Sequence, residues 1–193
     1  MAKAGQGKLH GLAASLPREK GLPPVESWNP PFCGDIDMRI DVNGTWYYQG
    51  TPIGRGQLVK LFASVLKREG EKYFLVTPVE KLGLIVEDAP FLAVELAISR
   101  NGGQWLKFRT NMDEWLDVGP GHALRFELEP KTGGLKPYLH VRRGLWAKVT
   151  RALYYDLVEV GEERVIDGEQ KFGVASRGEF YVMADAGALR EQA

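Results

Sequence analysis

Asp35 and Asp37 stand two residues apart in Asp35-Ile36-Asp37-Met38-Arg39-Ile40-Asp41, and this spacing is the most chemically suggestive in the chain. In an extended strand alternate residues share a face, so Asp35, Asp37, Arg39 and Asp41 fall on one side. Ile36, Met38 and Ile40 fall on the other, ready for a core. Two carboxylates on one strand face can share a divalent cation, which in turn can hold a phosphate, because hard cations seek carboxylate oxygens. Arg39 offers a simpler alternative, a structural network in which it neutralises both acids. No third ligand is identifiable from spacing, so the structural reading is the more economical.

Further candidates sit where strands end. Thr77-Pro78-Val79-Glu80-Lys81 is a polar turn, and Glu80 and Lys81 have the charges to meet a polar ligand. Loops of this kind carry function more often than core positions do. In the second half Arg109, Arg125, Lys136 and Arg142 are cations spaced along predicted strands. Clustered, they would suit a phosphate or carboxylate, with the arginine fork giving bidentate contact. Scattered, they are ordinary surface charges. Gly133-Gly134 permits close backbone approach, but neither a Walker ending nor a GxGxxG pattern is present. His10, His122 and His140 have no metal-site spacing, Cys33 has the look of a small buried residue, and no GxSxG elbow occurs.

The elements that must position these residues follow from periodicity. Residues 1–31 form an arm, with a short helical turn at Leu9, Leu12, Ala13 and Leu16, then a proline-rich extended segment pinned by Trp28 and Phe32. Asp35–Asp41 and Thr45–Tyr48 flank Asn43-Gly44 as a hairpin. Leu58, Leu61, Phe62, Val65 and Leu66 predict a helix over 55–68, followed by strands at 72–77 and 82–86. Beyond Pro90 strands dominate: 91–98, 105–110, 115–118, 123–129 and 138–141. The apolar positions Leu145, Trp146, Val149, Ala152, Leu153 and Leu157 predict a second long helix over 144–159. Strands at 170–175 and 179–183 close the domain, and 184–193 reads as a frayed tail. Each predicted helix has arginine near its start, an aromatic stripe, an acidic turn and then a Lys-aromatic strand opening, which hints at a duplicated unit.

Bulk properties exclude little and suggest much. The chain has 193 residues, 44% hydrophobic, with 25 basic against 25 acidic side chains. No net field draws it to nucleic acid or to an anionic membrane. One cysteine excludes an intramolecular disulfide. No stretch has the length of a signal-peptide core or of a membrane span, so the expected location is cytoplasmic.

The blocks WNPPFCGDIDMRI, GTWYYQGTPIGR, LVTPVEK, VEDAPF, LRFELEP, GGLKPYLHVRRGL and YYDLVE, in this order, closely resemble a bacterial family known as domain of unknown function 1285. The resemblance runs from Trp28 to Met183. In FGVASRGEFYVM it departs from the pattern, since Ala175 stands where a tryptophan would precede the serine. The resemblance implies an α+β protein of two small domains with a duplicated core, at 32–88 and 89–183. The sheets would be mostly antiparallel and each packed by one long helix, the second domain superficially like a pleckstrin-homology fold. It further implies a site at the domain interface for a nucleotide-like small molecule, with a role in signal transduction. Carried onto matching positions, its residues are Asp35, Asp37, Arg39, Thr77, Glu80, Lys81, Arg109 and Lys136.

The expectation is therefore a ligand-sensing module rather than an enzyme, with a small-molecule partner, no nucleic acid and no membrane span. No cofactor, catalytic residue, metal ligand or oligomeric state follows. Two rivals stand beside it. One is a metal-dependent enzyme acting on a phosphorylated substrate through Asp35 and Asp37, and the other is a protein-interaction module without a ligand.

Overall fold

The computed structural model describes residues 21–130 and 132–186, together with Gly11. The helical turn expected at Leu9–Leu16 and most of the tail expected at 184–193 lie outside them. The chain divides into two compact units between Pro90 and Phe91.

The first unit holds β1 (Phe32–Ile40), β2 (Trp46–Tyr48), β3 (Thr51–Pro52), α1 (Gly56–Ser64), β4 (Leu66–Glu69), β5 (Lys72–Val76) and β6 (Lys81–Val86). They form one six-stranded sheet in the order β3-β2-β1-β6-β5-β4. All pairings are antiparallel except that of β1 with β6. Met38, Ile40, Trp46, Leu66 and Leu75 are buried with Phe62 and Ala63 of α1, and the Trp46 and Phe62 rings stack at 6.4 Å. Burying side chains of this size stabilises by about 1.5–3 kcal/mol each. The proline-rich segment is interrupted by a 3-10 turn at Val25–Ser27. It is held by Val25 and Pro30, which are buried, rather than by Phe32, which is 56% exposed. The β1–β2 connection is longer than a two-residue Asn-Gly turn: Asp41 Oδ1 accepts from the backbone N–H groups of Asn43 and Thr45, so Asp41 belongs to the loop.

The second unit holds β7 (Phe91–Ser99), β8 (Trp105–Thr110), β9 (Trp115–Asp117), β10 (Leu124–Leu128), β11 (Leu135–Arg142), β12 (Leu145–Val149), α2 (Arg151–Glu159), β13 (Glu162–Ile166), β14 (Glu169–Ser176) and β15 (Glu179–Asp185). Its six-stranded sheet runs β10-β11-β12-β7-β8-β9, with β12 and β7 parallel. The last three strands form a separate antiparallel sheet. Both six-stranded sheets therefore have one strand order, two antiparallel triplets joined where the sixth strand lies parallel to the first. The helices do not follow that match, since α1 lies between the triplets and α2 after both. The repeat expected from the helices pairs α1 with α2, whereas the strand order pairs β1–β6 with β7–β12.

Both predicted helices prove too long. The helix expected over 55–68 ends at Ser64, and Leu66–Glu69 is a strand paired with β5. Gly70, at φ +62°, closes that hairpin at little cost, and its ladder outweighs continued helix. The helix expected over 144–159 starts only at Arg151. Arg143 and Gly144, both at positive φ, turn the chain into β12. There Leu145, Ala147 and Val149 are buried while Trp146 and Lys148 are half-buried, a period of two. In both places a run of adjacent apolar residues fits either period, and the glycine turn decides. Each helix is nine residues long, and the sheets are mixed through their single parallel join. Among the described residues no helix is long and apolar enough to cross a membrane.

Gly173 sits where the β14–β15 register shifts, and a Cβ there would lie 2.2 Å from the Tyr181 carbonyl oxygen and 2.9 Å from the Phe180 ring. Backbone cannot retreat from such a contact. Gly173→Ala is expected to cost about 1–3 kcal/mol or more. Gly121→Ala, which meets nothing within 4 Å, should be near neutral. Urea unfolding of both variants checks the contrast; equal midpoints would show that β14 accommodates the methyl group.

Candidate functional site

Of the residues singled out from sequence, Arg39, Lys81, Arg109 and Lys136 are paired with acids of their own units, and Glu80 is half-buried in the turn before β6. Asp35 and Asp37 are exposed on β1, and the Asp35 carboxylate lies over Gly83, 2.1 Å from where a Cβ would stand. Arg39 donates from Nη1 to Glu87 Oε1 at 2.5 Å and its guanidinium covers the Tyr47 ring at 4.3 Å. That hydrogen bond raises the Arg39 pKa further above its ordinary value. Thr77 is fully buried, and its Oγ1 accepts from the N–H groups of Val79 and Glu80, shaping the turn. Lys81 Nζ meets Glu69 at 2.9 Å and lies 5.0 Å from the Phe74 ring centre. Arg109 is held by Glu95 at 2.7 Å and by Asp113 at 2.9 Å, and Lys136 by Glu129 at 2.6 Å.

Distance separates them further. Lys81 pairs beside Phe32 and Arg39 beside Ile85, so the two cations lie near opposite ends of β1. At ~3.3 Å per residue that is on the order of 20 Å. Arg109 and Lys136 are on strands three apart in one sheet, roughly 14 Å at ~4.8 Å per step. Asp35 and Asp37 have no companions for a cation: among the described residues no group of three or more His, Cys, Asp or Glu side chains converges. Cys33, expected to be buried, is exposed, its Sγ donating to the Pro31 carbonyl. His122 and His140 each turn Nδ1 to a backbone carbonyl, of His140 and Gly121 respectively.

A cleft in the second unit, of about 440 Å³, brings together residues that spacing did not suggest. Gly102, Gly103 and Gln104 come from the β7–β8 loop, Trp105 from the start of β8, Arg164 from β13 and Arg177 from the β14–β15 turn. The loop is fixed by Gln104, whose Nε2 donates to the carbonyls of Ala175 at 3.0 Å and Val160 at 3.3 Å. Its own carbonyl accepts from the Arg177 N–H at 3.1 Å. The buried Ser176 hydroxyl continues the join, accepting from Leu106 N–H and donating to the Val118 carbonyl.

The cations of the cleft rest on aromatic rings. The Arg177 guanidinium lies 4.8 Å from the Trp105 ring and that of Arg164 4.8 Å from Phe180. Phe180 reaches this place because Gly173 has no side chain to exclude it. Glu162 Oε1 meets both Nε and Nη2 of Arg164, at 2.7 and 2.5 Å, and Asp117 stands 3.8 Å from Arg177, beyond hydrogen-bond reach. A guanidinium has five N–H donors, so both arginines retain donors for a further acceptor. No carboxylate lines the cleft itself. Positive charge, a half-exposed indole and two bare glycines favour a planar or phosphorylated anion.

Comparison with known families matches both units. The N-terminal domain of the domain of unknown function DUF1285 covers residues 23–89, and the C-terminal domain of that family covers residues 90–183. This chain belongs to the DUF1285 family. A crystal structure of a DUF1285 family protein from Silicibacter pomeroyi DSS-3, at 2.50 Å resolution, is similar, with 44% identity and a TM-score of 0.85. It covers 94% of this chain and 97% of that one. A DUF1285 family protein from Shewanella baltica OS155, at 1.40 Å, shares 34% identity over 64% of this chain and 91% of its own, with a TM-score of 0.51. A comparison with curated proteins yields no match.

In this DUF1285 chain Lys81 is best tested as a structural cation. Its hydrogen bond, aided by Lys67 at 3.4 Å, holds the Glu69 carboxyl below the usual carboxylate range. A carboxyl depressed on folding stabilises fully above its unfolded pKa, and that contribution fades as pH falls through the folded value. Lys81→Met should therefore cost no more than about 1 kcal/mol at pH 7, the pair being partly exposed. The deficit should shrink as pH drops below ~4. Urea titrations at pH 7 and 3 measure it, and an undiminished deficit at pH 3 would assign the effect to packing on Phe74.

Proposed function

We propose that this DUF1285 protein is a cytoplasmic binding module for a small, nucleotide-like anion, acting in signal transduction without catalysis. The observation that carries this reading is the cleft of the second unit, which Arg164, over Phe180, and Arg177, over Trp105, both line, with no carboxylate in the lining. The cleft supplies charge and a stacking surface, the two things a nucleotide offers a protein to hold.

The shared strand order of β1–β6 and β7–β12 supports a duplicated core. The antiparallel strands β10–β15 around α2 support a superficial likeness to a pleckstrin-homology fold, with β10 and β15 side by side.

The test is thermal unfolding against nucleoside mono-, di- and triphosphates, pyrophosphate and an uncharged nucleoside, with and without Mg²⁺. A ligand at ~100 times its Kd should add about 2.7 kcal/mol, a rise of several degrees. The rise should occur with the phosphorylated probes, not with the nucleoside, and disappear in Arg164→Ala and Arg177→Ala. A rise that survives both substitutions would place binding elsewhere. A shift with Mg²⁺ alone, removed by Asp37→Asn, would favour the metal-dependent enzyme.

A further inference from the structure

The cleft lies on a seam. One wall, Gly102–Trp105, belongs to the six-stranded sheet of the second unit, and the other, with Arg164 and Arg177, belongs to the three-stranded sheet β13–β15. Beside the cleft the seam is held by polar contacts: the Gln104 amide on Val160 and Ala175, the Arg177 N–H on Gln104, and the Ser176 hydroxyl between Leu106 and Val118; farther from it β10 lies beside β15, and Val174 and Met183 are buried. Gly102 and Gly103, at φ +75° and +129°, have open space where side chains would stand, so ligand oxygens can reach their backbone. Arg177, also at positive φ, is in the tight β14–β15 turn beside Gly178.

We propose that a phosphate ester bound in this cleft clamps the seam, its oxygens held by Arg164 and Arg177 from one sheet and by the Gly102–Gly103 backbone from the other. The inference rests on the reading that the cleft takes an anion. It adds what occupancy does: the ligand bridges two sheets, so binding and docking of β13–β15 strengthen each other. A phosphoryl group fits the bridge better than a carboxylate, because its oxygens point in more than one direction while a carboxylate presents a single planar edge. Glu162 pairs with Arg164, and Asp117 stands 3.8 Å from Arg177, yet neither acid lines the cleft. Because coupling is reciprocal, the ligand strengthens docking of the two sheets by the same factor by which docking strengthens the ligand.

Hydrogen exchange of the full chain, with and without saturating ADP or inorganic pyrophosphate, tests the clamp. Amides of 100–106 and of 160–178 should slow together, tenfold or more, and the Arg164→Ala/Arg177→Ala double variant should show no slowing. Ser176→Ala, which removes no side chain that lines the cleft, should speed exchange at 100–106 and 174–178 without probe, and saturating probe should restore slow exchange in both segments. Thermal stabilisation by a probe with slowing confined to 160–178 would overturn the clamp and leave anion binding standing. Exchange in Ser176→Ala that stays fast at 100–106 with saturating probe bound would overturn it likewise. Neither stabilisation nor slowing with millimolar probe would overturn both.

Discussion

The second unit depends on the buried hydroxyl of Ser176. It satisfies the Leu106 N–H and the Val118 carbonyl at once, 3.0 and 2.9 Å away, where neither has water as an alternative. Leaving such groups unpaired costs about 1–3 kcal/mol, more than a typical hydrogen bond contributes net. The contact fixes where β14 meets β8. Ala175 and Arg177, its immediate neighbours, then face the β7–β8 loop and make one wall of the cleft.

Small residues do the complementary work. Gly173 lets the Phe180 ring lie over β14, and that ring carries the Arg164 guanidinium. Gly102 and Gly103 leave the facing loop bare. In the first unit Gly83 plays a similar part beneath Asp35 and Phe32, but the result is a mixed-charge sheet face with Lys67 and Lys81 both committed to Glu69. One unit thus spends its charges on itself, while the other keeps donors open beside an indole.

Much of the architecture was legible in the residues. Met38 and Ile40 alternate with exposed or half-exposed neighbours on β1, and both are buried as the pattern predicts. Strand β8 is read to the residue at Trp105–Thr110. The helix ends were not legible, because Val65-Leu66 and Leu145-Trp146 satisfy both periods and the deciding pairing is with another strand. The cleft was less legible still. Asn101-Gly102-Gly103 reads as a hairpin loop, yet its partner at Ala175–Arg177 lies some seventy residues on, and nothing local marks Arg164 or Arg177 apart from other surface arginines. The acid pair Asp35 and Asp37 drew notice by spacing alone, which cannot report that both face solvent.

The proposed binding and the proposed clamp both require Arg164 and Arg177 to hold one anion. Crystals of the protein soaked with a nucleoside diphosphate would reveal whether they do. Phosphoryl density is expected within hydrogen-bond distance of both guanidinium groups, with the Glu162 pair retained. Ordered ligand elsewhere in the chain, with the cleft unchanged, would contradict both.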